Sequence, residues 1–328
     1  MTGPAPVGPA SLRGLGRSGV PVDRIGFGGA AIGGLYEPVG EQQAAGTLAA
    51  AWSAGTRFFD TAPHYGAGLA ERRLGAFLRT RPRDDYVVST KVGRLLEPTD
   101  GPGEPDVFRG APALVRRRDY SADGVRRSVA ASLERTGLDR FDVLLIHDPD
   151  EHWEQALSGA YPALERMRAE GTVRAIGAGM NQTAMLVRFV RETDVDCVLV
   201  AGRYSLLDRS AAAELLPLCQ QRGVGVLVGG VFNSGILAAP GPDATYDYRP
   251  APAAVLDRAV ALRDRCAAYG VPLAAAALQF PLRHPAVTGI VVGARSAAEV
   301  EANAALATLP VPAELWAELD DEGGVGDR

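Results

Sequence analysis

Four residues of this 328-residue chain could together move a proton on or off an oxygen atom: Asp60, Tyr65, Lys91 and His147. Asp60 and Tyr65 share the segment Phe58-Phe-Asp60-Thr-Ala-Pro-His64-Tyr65-Gly66. Lys91 closes Val87-Val-Ser-Thr-Lys91, and His147 closes Leu144-Leu-Ile-His147. A free phenol titrates near pH ~10, too high for a base at neutral pH. A neighbouring ammonium favours phenolate, and a carboxylate beside the lysine keeps that ammonium charged. A ring N–H of histidine can orient a substrate oxygen. The four therefore read as an acid–base couple on Tyr65, tuned by Lys91 and Asp60, with His147 as polariser. Singly, each has a plainer reading: a helix cap, a solvated charge, a satisfied core histidine.

The set has meaning only if the segments carrying it end on one face. After a hairpin expected over 11–23, short apolar runs read as strands at 24–28, 57–60, 86–91, 142–147, 173–179, 197–201, 225–229 and 289–292. Amphipathic runs read as helices at 41–54, 68–80, 122–136, 153–170, 182–192, 211–222, 252–269, 273–282 and 297–308. Continuous apolar strands are those covered on both sheet faces. Alternating βα units imply parallel strands with right-handed crossovers. Eight such units predict a closed (β/α)8 barrel over 11–328, behind a disordered tail at 1–10. A doubly wound sheet would need a G-x-G-x-x-G turn after the first strand, and Gly26-Phe-Gly28-Gly29-Ala-Ala lacks its third glycine. Asp60, Lys91 and His147 then end consecutive strands at the C-terminal mouth, where barrel sites sit. Two connections opening on that face, 93–120 and 232–250, are long enough to be lids or binding loops, and 310–328 is a further long tail.

Composition narrows the class. Hydrophobic residues at 47% support a large core and exclude wholesale disorder. A net charge of −5 argues against nucleic acid or an anionic membrane surface as partner. Three cysteines, Cys197, Cys219 and Cys266, exclude a disulfide scaffold and suit a reducing cytoplasm. Their strand and helix positions make them small buried hydrophobes. No apolar run would span a bilayer, and Met1 to Ala10 lacks the basic and apolar regions of a signal peptide. The four histidines show no H-x-H or HExxH spacing, which disfavours a metal-dependent barrel hydrolase. Oligomeric state is not readable.

The chain resembles the aldo-keto reductases, single-domain (β/α)8 oxidoreductases that use NAD(P). The likeness runs over about residues 13–309 and keeps the D-T-A-x-x-Y-G string intact. It implies that Asp60, Tyr65, Lys91 and His147 are the family's catalytic tetrad. The segment Val291-Val-Gly293-Ala-Arg295-Ser296-Ala-Ala-Glu299-Val-Glu-Ala-Asn303 resembles the family's adenosine-binding stretch. It implies roles for Gly293, Arg295, Ser296, Glu299 and Asn303, with the phosphates at a helix N-terminus. Three departures stand out. Gly179-Met180-Asn181 replaces the Ser-Asn pair after strand five, Ala201 replaces a Gln, and Gly229 replaces the aromatic that stacks on nicotinamide. Asn181, Tyr204 and Phe232 are the expected substitutes. Arg295 would suit the 2′-phosphate of NADP, while Glu299 would repel it. The balance favours NAD and leaves NADP open.

Strings such as His147-Asp-Pro-Asp150, Ile176-Gly-Ala-Gly-Met-Asn-Gln182 and Gly229-Gly-Val-Phe-Asn-Ser-Gly-Ile-Leu237 resemble the aldose 1-dehydrogenase branch, which acts on L-fucose or D-threo-aldoses. The same strings occur in pyridoxal 4-dehydrogenase. The resemblance implies oxidation of a sugar at its anomeric carbon, giving a lactone. His64, Asp148 and Arg203, with Trp52 and the Tyr246/Tyr248 loop, are the candidates for holding the sugar. Pyridoxal oxidation and a broad carbonyl reductase are the alternatives within the class. A channel-associated binding subunit is disfavoured by the complete tetrad. Arg116-Arg117-Arg118 reads as a solvated charge run or as a funnel for a dinucleotide.

Overall fold

Each barrel strand is a short, mostly apolar run, buried along all or nearly all of its length. The computed structural model describes residues 11–101 and 107–321, so the expected tail 1–10 and the stretch 102–106 lie outside the described residues. The strands are β1 (Ile25–Gly28), β2 (Phe58–Asp60), β3 (Val87–Val92), β4 (Val143–His147), β5 (Ala175–Met180), β6 (Cys197–Ala201), β7 (Gly225–Gly229) and β8 (Val287–Gly293). All eight pair in parallel and close into a barrel, β8 joining β1.

The principal helices are α1 (Glu41–Ser53), α2 (Leu69–Leu78), α3 (Ala122–Thr136), α4 (Tyr161–Ala169), α5 (Thr183–Glu192), α6 (Leu215–Arg222), α7 (Ala253–Ala268), α8 (Leu273–Gln279), α9 (Ala297–Thr308) and α10 (Ala313–Asp321). Caps set several ends. The Ser121 hydroxyl accepts the Gly124 N–H at 3.0 Å, and Gly137 ends α3 in the left-handed region.

Two cores result. The larger lies between strands and helices and includes Trp52, packed on Phe59, rather than at the site. The smaller fills the barrel with Phe58, Val87, Val143, Leu145, Cys197, Leu199 and Leu227. Its N-terminal end is plugged by Leu15, Val20 and Val22 of an antiparallel hairpin, Leu12–Leu15 with Val20–Asp23. All three cysteines are buried and unbridged. Asp23, Asp142 and Asp196 lie just before strands or end the hairpin, and each takes backbone N–H groups of a neighbouring strand. These buried carboxylates hold register at the face opposite the site.

The structure differs from expectation in several elements. The run 153–170 is three pieces, with a π turn at Ala156–Ala160 before α4. The run 211–222 is broken between Ser210–Ala213 and α6. The connection 93–120 contains a hairpin, Arg94–Pro98 paired with Leu114–Arg118. Of the expected tail 310–328, residues 322–328 lie outside the described residues, and Ala313–Asp321 forms α10, whose Leu315, Trp316 and Leu319 are buried. Among the described residues, no helix is long and apolar enough to cross a membrane.

Candidate active site

Strand parity builds the site. Phe58 and Asp60, Ser89 and Lys91, and Leu145 and His147 each sit two residues apart, so they share a strand face. Phe58 and Leu145 belong to the cluster that fills the barrel. Asp60 pairs with Ser89, Lys91 with Leu145, and His147 with Gly179. The same inward face of β5 and β7 carries Gly179 and Gly229. A Cβ on Gly229 would lie 3.5 Å from Leu199 and 3.7 Å from that of Ala201, so small residues keep this side of the mouth open.

Lys91 Nζ donates to Asp60 Oδ2 at 2.7 Å and to the Thr61 carbonyl at 2.9 Å. Asp60 Oδ1 accepts from Ser89 Oγ at 2.7 Å. Burial works against the Lys91 ammonium, but Asp60 and the Tyr65 hydroxyl outweigh it, and its pKa is raised. Tyr65 comes from the loop after β2 and lies against Lys91, whose Nζ is 4.7 Å from its ring centre. Burial lifts the phenol's pKa further than Lys91 lowers it. The ammonium favours phenolate, but the desolvation cost exceeds the pull of a cation already shared with Asp60, and the balance shifts toward the neutral phenol.

His147 stands edge-on to Tyr65, ring centres 5.9 Å apart and planes at 88°. Burial, then Arg94 and Lys91, hold its pKa well below the ordinary range, so the imidazole is neutral. Asp148 follows in the left-handed region at φ 42°. Its carboxylate is 2.6 Å from Arg94 and 3.4 Å from His147 Nε2. The end of β4 is anchored by Tyr120, whose hydroxyl lies 2.6 Å from the His147 carbonyl and 2.8 Å from that of Asp148. Only glycine fits at position 93, since φ is 103° and a Cβ would come within 2.1 Å of the Tyr120 ring. The sequence pattern gives Gly93 and Tyr120 only as the bounds of the 93–120 connection and does not single out Arg94. Gly93-Arg94 directly after strand three was the available signal.

Tyr65, Lys91 and His147 open into a pocket of about 200 Å³ walled by Leu35, His64, Val107, Phe108, Asp148, Met180, Asn181 and Tyr248. His64 packs on Phe108 and His147, and burial with Arg94 and Arg116 nearby lowers its pKa to about 2. Asn181 lines this pocket and donates to the Ala201 carbonyl at 2.9 Å. A contiguous cleft of about 370 Å³ runs from Asp60 and Tyr65 past Gly28, Gly229, Gly230 and Phe232 to Gly293, Arg295 and Glu299. It ends at the N-terminus of α9, capped by the Ser296 hydroxyl, which accepts the Glu299 N–H at 3.2 Å.

Three expected contacts are placed elsewhere. Tyr204 is not in the cleft; it is buried against Phe280 and His284. Asn303 lies one helical turn beyond Glu299, past the cleft's end, and lines a small separate pocket with Ala51 and Val300. Arg203 lines neither cavity; its guanidinium grips Asp247 at 2.9 and 2.8 Å. The triple arginine is part of the second hairpin. Arg117 and Arg118 pair with Glu97 and Glu151, and Arg116 reaches the His64 carbonyl.

A phenol, an ammonium, a carboxylate and a neutral imidazole converging on a small pocket can exchange a proton with a carbonyl or carbinol oxygen. A barrel with this chemistry at its mouth is an oxidoreductase acting on CH–OH and carbonyl groups. Residues 24–322 match the model of the Aldo/keto reductase family, and the chain belongs to that family. It is 47% identical over 310 residues to D-threo-aldose 1-dehydrogenase of a Pseudomonas species, covering 92% of this chain and 94% of that one. It is 42% identical over 332 residues to pyridoxal 4-dehydrogenase of Microbacterium luteolum, covering 95% and 97%. Among solved structures, the holo form of aldo-keto reductase AKR11C1 from Bacillus halodurans superposes with a TM-score of 0.75 at 26% identity, over 95% of this chain and 96% of that one.

Aldo-keto reductases use NAD(P)H, and the long cleft fits such a group. Gly28, Ala30, Ala201, Gly229, Gly230 and Gly293 are among its lining residues and leave backbone open to close approach. It leads from Tyr65 to a helix N-terminus, where outward N–H groups favour phosphate.

Proposed function

We propose that the protein is an NAD-dependent aldose 1-dehydrogenase that oxidises L-fucose, or a related D-threo-aldose, at the anomeric carbon. One observation carries the reading: the Asp148 carboxylate, fixed by Arg94, stands beside the tetrad inside the pocket. A carboxylate accepts hydrogen bonds from neighbouring hydroxyls, which suits a polyol. The similarity to a D-threo-aldose 1-dehydrogenase supports it.

In this reading the C1 hydroxyl of the cyclic sugar lies between Tyr65 and His147. A nicotinamide bound in the long cleft supplies the hydride acceptor. Gly28, Gly229, Gly230, Phe232 and Gly293 would line its bed, the N-terminus of α9 its phosphates, and Arg295 with Glu299 its adenosine end. Asn181 would reach its carboxamide. Tyr65 Oη, in its deprotonated form, takes the C1–OH proton as the C1–H bond gives up its hydride to that acceptor and the C1–O bond gains double-bond character, leaving a lactone. Lys91, held charged by Asp60, stabilises the tyrosine oxygen whenever it lacks its proton. Neutral His147 donates to the C1 oxygen and fixes its orientation. The apolar wall of Leu35, Val107 and Phe108 excludes water.

NAD is favoured over NADP because Arg295, the cation nearest the adenosine end, is already engaged. Its guanidinium is 2.9 Å from Glu37 and 3.1 Å from Glu299. The same aromatic wall would also admit a flat pyridine ring, so pyridoxal is the second reading. Initial rates with L-fucose and with pyridoxal, each with NAD and NADP, test both. Fast L-fucose turnover with NAD is the expected result. Turnover of pyridoxal alone would replace the substrate and keep the chemistry.

A further inference from the structure

The connection following β7 returns over the catalytic pocket through a tight hairpin. Thr245 pairs with Pro250 and Tyr246 with Arg249, leaving Asp247 and Tyr248 as the two turn residues. Both are left-handed, with φ 48° and 63°. A two-residue turn with positive φ at both positions favours Asp-Gly or Asn-Gly, because a bulky side chain is disfavoured there. The chain keeps the aspartate and puts tyrosine where glycine belongs.

That tyrosine does not point idly outward. The residue as a whole is 49% exposed, yet burial, then the nearby Tyr65, Tyr36 and Asp148, raise the pKa of its hydroxyl. Tyr248 lines both the catalytic pocket and the long cleft, at their junction. Its ring also meets Tyr36 from the loop after β1, centres 6.4 Å apart. The turn is gripped from below. Arg203, just beyond β6, donates to both carboxylate oxygens of Asp247, and Ser234 Oγ accepts the Tyr248 N–H at 3.2 Å.

We propose that Tyr248 is a specificity-determining residue that forms the outer wall of the substrate pocket and presents its hydroxyl to the substrate. Arg203 and Asp247 are positioning residues that act through it. The proposal rests on the aldose reading for the nature of the contact: the ring covers a C–H face of the sugar and the hydroxyl meets one of its oxygens. It does not rest on that reading for the wall itself. Strain is tolerated in this turn because a glycine there would leave the pocket open above Tyr65.

The test uses the full chain, with L-fucose oxidation and 4-nitrobenzaldehyde reduction as parallel assays. Tyr248→Gly makes the turn Asp-Gly, so its Tm should hold or rise. Its KM should rise about tenfold or more on both substrates while kcat stays within about threefold, the signature of lost binding common to ground and transition states. Tyr248→Phe should raise KM for L-fucose more than for the aldehyde. Arg203→Met should raise KM in the native background and add nothing when combined with Tyr248→Gly, while Arg203→Lys restores part of the loss. A Tm drop in Tyr248→Gly with unchanged KM would make the tyrosine a packing residue and overturn the proposal. Additive effects of Arg203→Met and Tyr248→Gly would overturn the positioning role. If the native chain ignores L-fucose but the aldehyde KM shifts as stated, the sugar reading fails and the wall stands.

Discussion

Lys91 and Asp60 form an ion pair of 2.7 Å with both side chains 3% exposed or less. Removing one partner of a buried pair leaves an uncompensated charge, while removing both can be nearly neutral. Asp60→Asn should lower the unfolding free energy by about 3 kcal/mol. Asp60→Leu combined with Lys91→Met should cost less than the sum of the two single changes. Urea unfolding of Asp60→Asn, and of the native chain, Asp60→Leu, Lys91→Met and the double variant as a cycle, checks this. Additive losses would mean that the pair is not energetically coupled.

In the proposed reaction the proton passes through Tyr65. Tyr65→Phe keeps the ring against Phe108 and His147 and removes only the hydroxyl. Turnover should fall by about 10²- to 10⁴-fold, the range for loss of a general acid–base group. Dinucleotide binding, followed by fluorescence titration, should be unchanged. Near-native turnover would send the proton by another route.

The pH dependence follows from the same phenol. Burial raises the Tyr65 pKa beyond the opposing effect of Lys91, so the neutral phenol dominates below and around pH 10. Reduction uses that form and should be flat between about pH 6 and 9. Oxidation needs the proton removed, so its kcat/KM should climb toward tenfold per pH unit over the same window. His147 adds no limb there, because its pKa lies well below this range. A bell centred near neutrality would instead make a histidine the titrating base.

The barrel and the placing of Asp60, Lys91 and His147 were legible in the sequence for one physical reason, whereas Tyr65, in the loop after β2, is marked only by the D-T-A-x-x-Y-G string. Parallel strands buried on both faces read as apolar runs, and a polar residue ending such a run has only the mouth to occupy. The Arg94–Asp148 pair was not legible as a unit. It depends on a hairpin whose strand Leu114–Arg118 carries three arginines and is only partly buried, so no alternation marks it. Tyr204 and Arg203 were misplaced because they follow β6, where the chain leaves the strand and parity no longer says which way a side chain turns. Tyr204 turns outward to Phe280. Helix α10 could have been read: Leu315, Trp316 and Leu319 have the spacing of a buried helical face. The Asp247-Tyr248 turn could not, since a tyrosine contradicts the local turn preference and is understood only with the pocket beneath it.

Glu299 decides the cofactor prediction. Its Oε2 accepts the backbone N–H of Arg295 at 2.8 Å, and its Oε1 takes the guanidinium at 3.1 Å. A 2′-phosphate would have to displace a carboxylate from the cation best placed to receive it. Arg295 and Glu299 are 37% and 41% exposed, so solvent screens the pair and the effect is modest. Glu299→Gln keeps the hydrogen-bonding shape and removes the charge. The ratio of kcat/KM with NADP to that with NAD should rise about threefold to tenfold, and less so at high salt. Adding Glu37→Gln should extend the shift only slightly, because Glu37 is 68% exposed. An unchanged ratio in both variants would mean that neither carboxylate faces the ribose, and that the preference is set elsewhere along the cleft.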